Sequence, residues 1–262
     1  MNRLKPEEYA ELAIQKLIKK TTVPILNIAL TDEKTTIFDS KIGGTPYLPK
    51  DMEIPKDKNG RQMRLLAQIN CKDLTPLEDY PHSGILQFWL TVDFMWEEYE
   101  VAYHKNIDYT LDEKDILPRI QDYTEGKDGS FPVNGEYGME FVEDTESMGH
   151  FDYRIEALFC QYYTELSGEF ISIPEDADEE VYDIFIDYRD DAYTGFTKIG
   201  GYEISTQLTD YLRYRPENYD TSLHWSKYAT YVSNIDMKSD EEEFVLFQLD
   251  SHYNNSKDYK VG

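Results

Sequence analysis

Two glutamines stand inside otherwise apolar runs, Gln68 in Leu65-Leu66-Ala67-Gln68-Ile69-Asn70 and Gln248 in Val245-Leu246-Phe247-Gln248-Leu249-Asp250. Alternate side chains of an extended strand share a face, so Gln68 stands with Asn70 and Gln248 with Asp250. A buried amide without a partner costs about 1–3 kcal/mol, so these side chains must be hydrogen bonded. Two kinds of partner are open: backbone groups of the adjoining turn, or a ligand shared in a cleft. Each run follows a lysine and a glycine pair, Lys41-Ile42-Gly43-Gly44 and Lys198-Ile199-Gly200-Gly201. A glycine pair after a strand lets backbone approach another segment closely, or take a positive φ, where a side chain would clash. The candidate binding residues are therefore Lys41, Gly43, Gly44, Gln68, Asn70, Lys198, Gly200, Gly201, Gln248 and Asp250.

The motifs of common catalytic classes do not occur. There is no Gly-x-Ser-x-Gly elbow, no Walker loop, no His-Glu-x-x-His pair and no dinucleotide fingerprint. The histidines His82, His104, His150, His224 and His252 are scattered, and although Asp250 and His252 share a strand face, two ligands do not make a metal site. Asp187, Asp190 and Asp191 lack the alternating oxygen ligands and central glycine of a calcium loop, and read as a solvated helix end. Cys71 and Cys160, at no metal or redox spacing, read as free thiols. No catalytic residue, metal or cofactor is expected, and enzyme activity would have to come from a site of unfamiliar pattern.

Charge restricts the partners. The chain carries 52 acidic against 26 basic residues, a net charge of −26. Such a surface repels phosphate and anionic lipid, which makes nucleic acid and membrane unexpected partners. Solubility alone explains high negative charge; the functional alternative is a basic protein partner, as an inhibitor of a nucleic-acid-processing protein would require. No apolar run reaches the length of a membrane span, and residues 1–21 are charged and periodic where a signal peptide is apolar, so a cytoplasmic location is expected.

The elements that must hold these residues are read from periodicity and turn chemistry. Residues 6–20 form a helix, with Pro6 and Glu7, Glu8 and Glu11 early, Lys16, Lys19 and Lys20 late, and an apolar face of Tyr9, Leu12, Ala13 and Leu17. From Ile25 short apolar runs between turns read as strands: 25–30, Ile37-Phe38 leading into the glycines, 65–70, 85–90, 99–104 and 137–142. A tight turn is expected at Asp57-Lys58-Asn59-Gly60, and an irregular connection over 106–134. Residues 150–166 carry a helical stripe closed by Ser167-Gly168, and the spacing of Val181, Ile184, Phe185 and Tyr188 favours helix over strand.

The two lysine-glycine copies imply an internal duplication. The second has a longer interval before its glutamine, an insertion within 202–244 that holds Asp210-Tyr211-Leu212-Arg213 and Leu223-His224-Trp225. The expected fold is a single α+β domain, 1–262, with a mixed or antiparallel sheet, packing helices and two tandem pseudo-repeats, roughly 1–133 and 134–262.

Lys41-Ile42-Gly43-Gly44-Thr45-Pro46, Leu65-Leu66-Ala67-Gln68-Ile69-Asn70, Gly84-Ile85-Leu86-Gln87-Phe88-Trp89, Lys198-Ile199-Gly200-Gly201-Tyr202 and Leu246-Phe247-Gln248-Leu249-Asp250-Ser251 resemble the YwqG-like proteins of bacteria over most of the chain. The resemblance implies an α+β protein of duplicated halves and carries no established activity. Glu203 stands where that pattern has proline, and a second glycine- and phenylalanine-rich strand expected late in the second half is not reached by Gly262. Three function classes follow: a non-catalytic module binding a small molecule between its halves, an acidic protein that binds a basic one, and an enzyme of unrecognised site.

Overall fold

The computed structural model describes residues 4–92, 98–121, 131–133, 135–150, 152, 154–191, 197–202 and 247–249. In chain order the elements are α1 (Pro6–Thr21), β1 (Val23–Thr31), β2 (Lys41–Gly43), β3 (Arg64–Asn70), β4 (Ile85–Leu90), β5 (Tyr99–His104), α2 (Glu113–Ile116), β6 (Glu136–Glu146), α3 (Ile155–Ser167), α4 (Glu179–Asp191) and β7 (Lys198–Gly200). The seven strands are ordered β5-β4-β3-β2-β6-β1-β7, and the class is mixed α+β, as the alternation of strand and helix patterns predicts. None of the described helices is long and apolar enough to cross a membrane. The chain divides into two compact units, Met1–Ile25 with Asp144–Gln248, and Leu26–Glu143 with Leu249–Gly262.

The described residues of the first unit hold the helices α1, α3 and α4. In α1, Pro6 fits the first turn, and the backbone N–H of Lys5 donates to Glu8 Oε2 at 2.7 Å. Glu7 and Glu8 lie at the positive end of the helix dipole and Lys19 and Lys20 at its negative end. Its buried face is Ala10, Ala13, Ile14 and Leu17, packed against Ile155, Leu158, Phe159 and Tyr163 of α3 and Val181 and Phe185 of α4. That face is rotated from the expected one: Leu12 is exposed and Ala10 and Ile14 are buried. The small alanines let the helices approach, so residue size, as well as polarity, chose the contact stripe. Helix α3 starts at Ile155 rather than near His150, because Asp152 closes a turn just before it, its carboxylate accepting from the backbone N–H of Arg154 at 2.9 Å and its carbonyl from that of Ile155 at 3.2 Å. Gly168 closes the helix with φ +76°. Residues 179–191 are helical, as the spacing favoured.

The second unit holds a run of antiparallel strands, β5-β4-β3-β2-β6. Lys41 lies opposite Gln68 and Gly43 opposite Glu136, with a bulge in β3 between Leu65 and Ala67. Its apolar cluster includes Ile37, Tyr47, Leu48, Met63, Leu65, Trp89 and Ile116. Ile37 and Phe38 are not strand residues. Thr36 and Asp39 close a turn around them: the Asp39 carboxylate accepts from the Thr36 backbone N–H at 2.8 Å and the Thr36 hydroxyl at 2.7 Å. Within 106–121 the connection is not wholly irregular. Asp112 caps the single-turn α2, whose Ile116 is buried in the cluster beside Leu111, so two apolar residues spaced among polar ones anchor a turn of helix. The turn at Asp57-Lys58-Asn59-Gly60 forms as expected, with Gly60 at φ +79°. The expected insertion, with Leu223-His224-Trp225, and His252 and Asp250 lie outside the described residues.

Candidate functional site

Lys41, at the start of β2, is 1% exposed, and its ammonium donates to the Thr36 carbonyl at 2.9 Å. Burial pushes the ammonium below its ordinary range, against the opposing attraction of Glu136, Asp39 and Glu113. Gly43 and Gly44 have φ of +63° and +73°. A Cβ on Gly43 would run into the Gly135 carbonyl, and one on Gly44 into the Glu136 carboxylate. That carboxylate also accepts from the Thr45 backbone N–H at 3.4 Å. The glycine pair thus meets both physical needs at once: left-handed backbone and a close approach.

Gln68, fully buried on β3, uses its whole hydrogen-bonding capacity on the protein. Its Nε2 donates to the Ile37 and Asp39 carbonyls at 2.9 and 3.0 Å. Its Oε1 accepts from the Tyr47 backbone N–H at 2.7 Å and from Gln87 Nε2 at 2.8 Å. One side chain therefore ties the segment before the glycines to the segment after them. Asn70 repeats the theme, its Nδ2 donating to the Phe38 carbonyl at 2.9 Å and its Oδ1 accepting from the Lys72 backbone N–H at 3.2 Å. Gln87 on β4 donates also to the Tyr47 carbonyl at 2.7 Å, which leaves its Oε1 as the acceptor for His104 Nε2 at 2.9 Å. His104 Nε2 accordingly carries a proton, and burial lowers the pKa of the ring against the attraction of Asp51.

In the other unit the same residue types meet again. The Lys198 ammonium, fully buried on β7, donates to both oxygens of the buried Glu146 at 2.6 and 2.5 Å. Burial lowers this ammonium too, and the Glu146 carboxylate pulls it back. Gly200 and Gly201 have φ of +82° and +73°. A Cβ on Gly201 would fall on Glu146 Oε1 and lie 2.6 Å from Ile25 Cγ2. The Tyr202 backbone N–H donates to Glu146 Oε1, and the Tyr202 hydroxyl to the Thr21 carbonyl at 2.5 Å. Lys198 and Gln248 exchange both backbone hydrogen bonds, at 3.0 and 2.9 Å.

The ten expected residues thus fall into two groups. Lys41, Gly43, Gly44, Gln68 and Asn70 gather at one turn; Lys198, Gly200, Gly201 and Gln248 gather at the other. Asp250 lies outside the described residues. Sequence reasoning missed Glu136 and Glu146, two acids among many, with nothing in their spacing to distinguish them. It also missed Gln87, although Ile85-Leu86-Gln87-Phe88 carries the signal that singled out Gln68, an amide within an apolar strand. The buried thiols are inert: burial raises Cys71 to about 11 and lifts Cys160 further. Among the described residues no group of three His, Cys, Asp or Glu side chains is placed to hold a metal ion.

Residues 40–261 match a family described as a domain of unknown function, DUF1963. The chain belongs to that family. The DUF1963 match opens at Ser40, directly before β2, and takes in both Lys-Ile-Gly-Gly turns, while α1 and β1 precede it. No curated protein matches the chain.

Proposed function

We propose that this DUF1963 protein is a non-catalytic binding protein whose partner is a basic protein surface. One observation carries the reading: the buried amides at the first glycine turn are spent on the chain's own backbone, whereas acids such as Glu140, Glu143, Asp144, Asp178, Glu179 and Glu180 stand in solvent. With a net charge of −26, long-range attraction favours cations and repels anions. A small molecule bound at Gln68 would have to displace the Tyr47 N–H, the Ile37 and Asp39 carbonyls and Gln87 together, each exchange costing what the new bond returns.

The finer family placement, among the YwqG-like proteins of bacteria, and a cytoplasmic location belong to the same reading. So does a single domain of two tandem pseudo-repeats. Its support is a recurrence: in each copy the lysine lies opposite the glutamine, and a β6 glutamate sits on the second glycine and accepts the next residue's N–H. A second-half strand order unlike β2-β3-β4 would overturn the duplication.

Affinity capture at about 0.1 M and about 1 M salt, where the Debye length falls from about 10 to about 3 Å, tests the partner. An unrelated folded protein of equal net charge serves as the control. The expected result is a basic protein retained by this chain, absent from the control and released by salt. An acidic partner held equally at both salts, or tight binding to duplex DNA, overturns the proposal.

A further inference from the structure

β5 is the terminal strand of the sheet, and among the described residues no strand pairs with its outer edge. The Thr91 backbone N–H donates to the Glu98 carbonyl at 3.1 Å, and the β4–β5 register then runs from Leu90 opposite Tyr99 to Ile85 opposite His104. In an antiparallel pair the backbone groups of alternate residues face opposite sides of the strand. Glu98 faces inward, so Glu100, Ala102 and His104 also bond to β4. Tyr99, Val101 and Tyr103 turn their N–H and C=O groups outward.

The side chains of those same three residues share one face, directly opposite Leu90, Phe88 and Leu86. They are 72%, 43% and 45% exposed. The strand has no proline, no lysine and no bulge, three devices that close edges to pairing, and its one acidic residue, Glu100, lies on the face opposite the Tyr99, Val101 and Tyr103 side chains. Outward backbone with no strand partner among the described residues coincides with an exposed apolar stripe on one six-residue strand.

We propose that the outer edge of β5 receives an extended, basic segment of a partner protein by strand addition. The outward backbone of Tyr99, Val101 and Tyr103 supplies hydrogen bonds, and their side chains, with Phe88 and Leu90, pack against alternate apolar residues of the incoming strand. Charge decides the occupant. A second copy would bring −26 against −26, whereas a segment with lysine or arginine at alternate positions is drawn in by the field of the whole chain. This inference rests on the basic-partner reading above and names its docking element.

The test uses the full chain and a blocked peptide of about seven residues alternating lysine and valine. Two counterparts accompany it, one N-methylated along its backbone and one with glutamate for lysine. Binding and amide hydrogen exchange are measured together. The lysine peptide is expected to bind and to slow exchange at Tyr99, Val101 and Tyr103 by about tenfold or more, and each counterpart to bind at least about tenfold more weakly. Val101→Pro removes one outward N–H and spares the β4 ladder, so it should fold and lose the peptide. Tyr99→Ser, which leaves the backbone intact, should weaken binding and decides the matter if Val101→Pro does not fold. No slowing at the three amides, or equal binding of the N-methylated peptide, overturns strand addition at β5. Equal binding of the glutamate peptide sinks the basic-partner reading itself. Dimerisation that protects the same amides without peptide makes a second copy the occupant and overturns the proposal.

Discussion

At the scale of single residues the protein spends strong polar groups on holding turns. Gln68 makes four hydrogen bonds that join residues 37–39 to Tyr47 and Gln87. Gln68→Ala leaves those groups unsatisfied in a buried place, and a loss of about 3 kcal/mol is expected from the urea midpoint. A shift below about 0.5 kcal/mol would show that water replaces the amide at no cost. The two second glycines separate strain from burial. Gly44→Ala and Gly201→Ala both force alanine to a φ of +73°, at about 1–2 kcal/mol. At Gly44 the obstructing side chain is the exposed Glu136, which can swing away; at Gly201 it is the buried Glu146, held by Lys198. Breaking a buried pair costs about 3–5 kcal/mol, so Gly201→Ala should be the more damaging by about 2 kcal/mol or more in denaturant melts. Gly168→Ala is the control, with the same sign of φ and nothing within 4 Å of the new methyl group. Equal losses at Gly44 and Gly201 would mean that backbone strain alone governs both.

At the scale of elements, helix–helix contact rather than surface charge fixes α1. A 16-residue helix is marginal alone, so its stability comes from Ala10, Ala13, Ile14 and Leu17 against α3 and α4. Leu17→Ala should cost about 3 kcal/mol through lost burial and a residual cavity. Lys16→Ala removes the ion pair with Glu165 and the ammonium 4.4 Å from the Tyr162 ring centre, yet both partners of the pair are about a third or more exposed. Its cost should stay below about 1 kcal/mol. Thermal unfolding of the two variants decides, and a Lys16 loss matching that of Leu17 would refute this ranking.

For the whole molecule the dominant quantity is a net charge of −26. Like charges on a compact chain repel, and salt screens them as the Debye length falls from about 30 Å at 0.01 M to about 8 Å at 0.15 M. The melting temperature should therefore rise across that range of sodium chloride. A flat or falling curve would mean that paired charges such as Lys198 and Glu146 outweigh the repulsion.

The sequence by itself determined whatever depends on neighbours along the chain. Periodicity placed α1, α3 and α4 and strands β1, β3, β4, β5 and β6; proline and end charges marked the start and finish of α1; the glycine pairs announced left-handed backbone; and an amide in an apolar strand required a partner. Tertiary structure alone decided which partner. Gln68 reaches a carbonyl 31 residues away and Lys198 a carboxylate 52 residues away, and no local pattern distinguishes Glu146 from the other acids of β6. The same long-range choice turned Ile37 and Phe38 from a strand into a turn, since Gln68 and Asn70 draw their carbonyls into the sheet's side-chain bonds. Local conformation follows from sterics within a few residues, whereas partner identity follows from strand register, and register is settled only when the whole sheet has assembled.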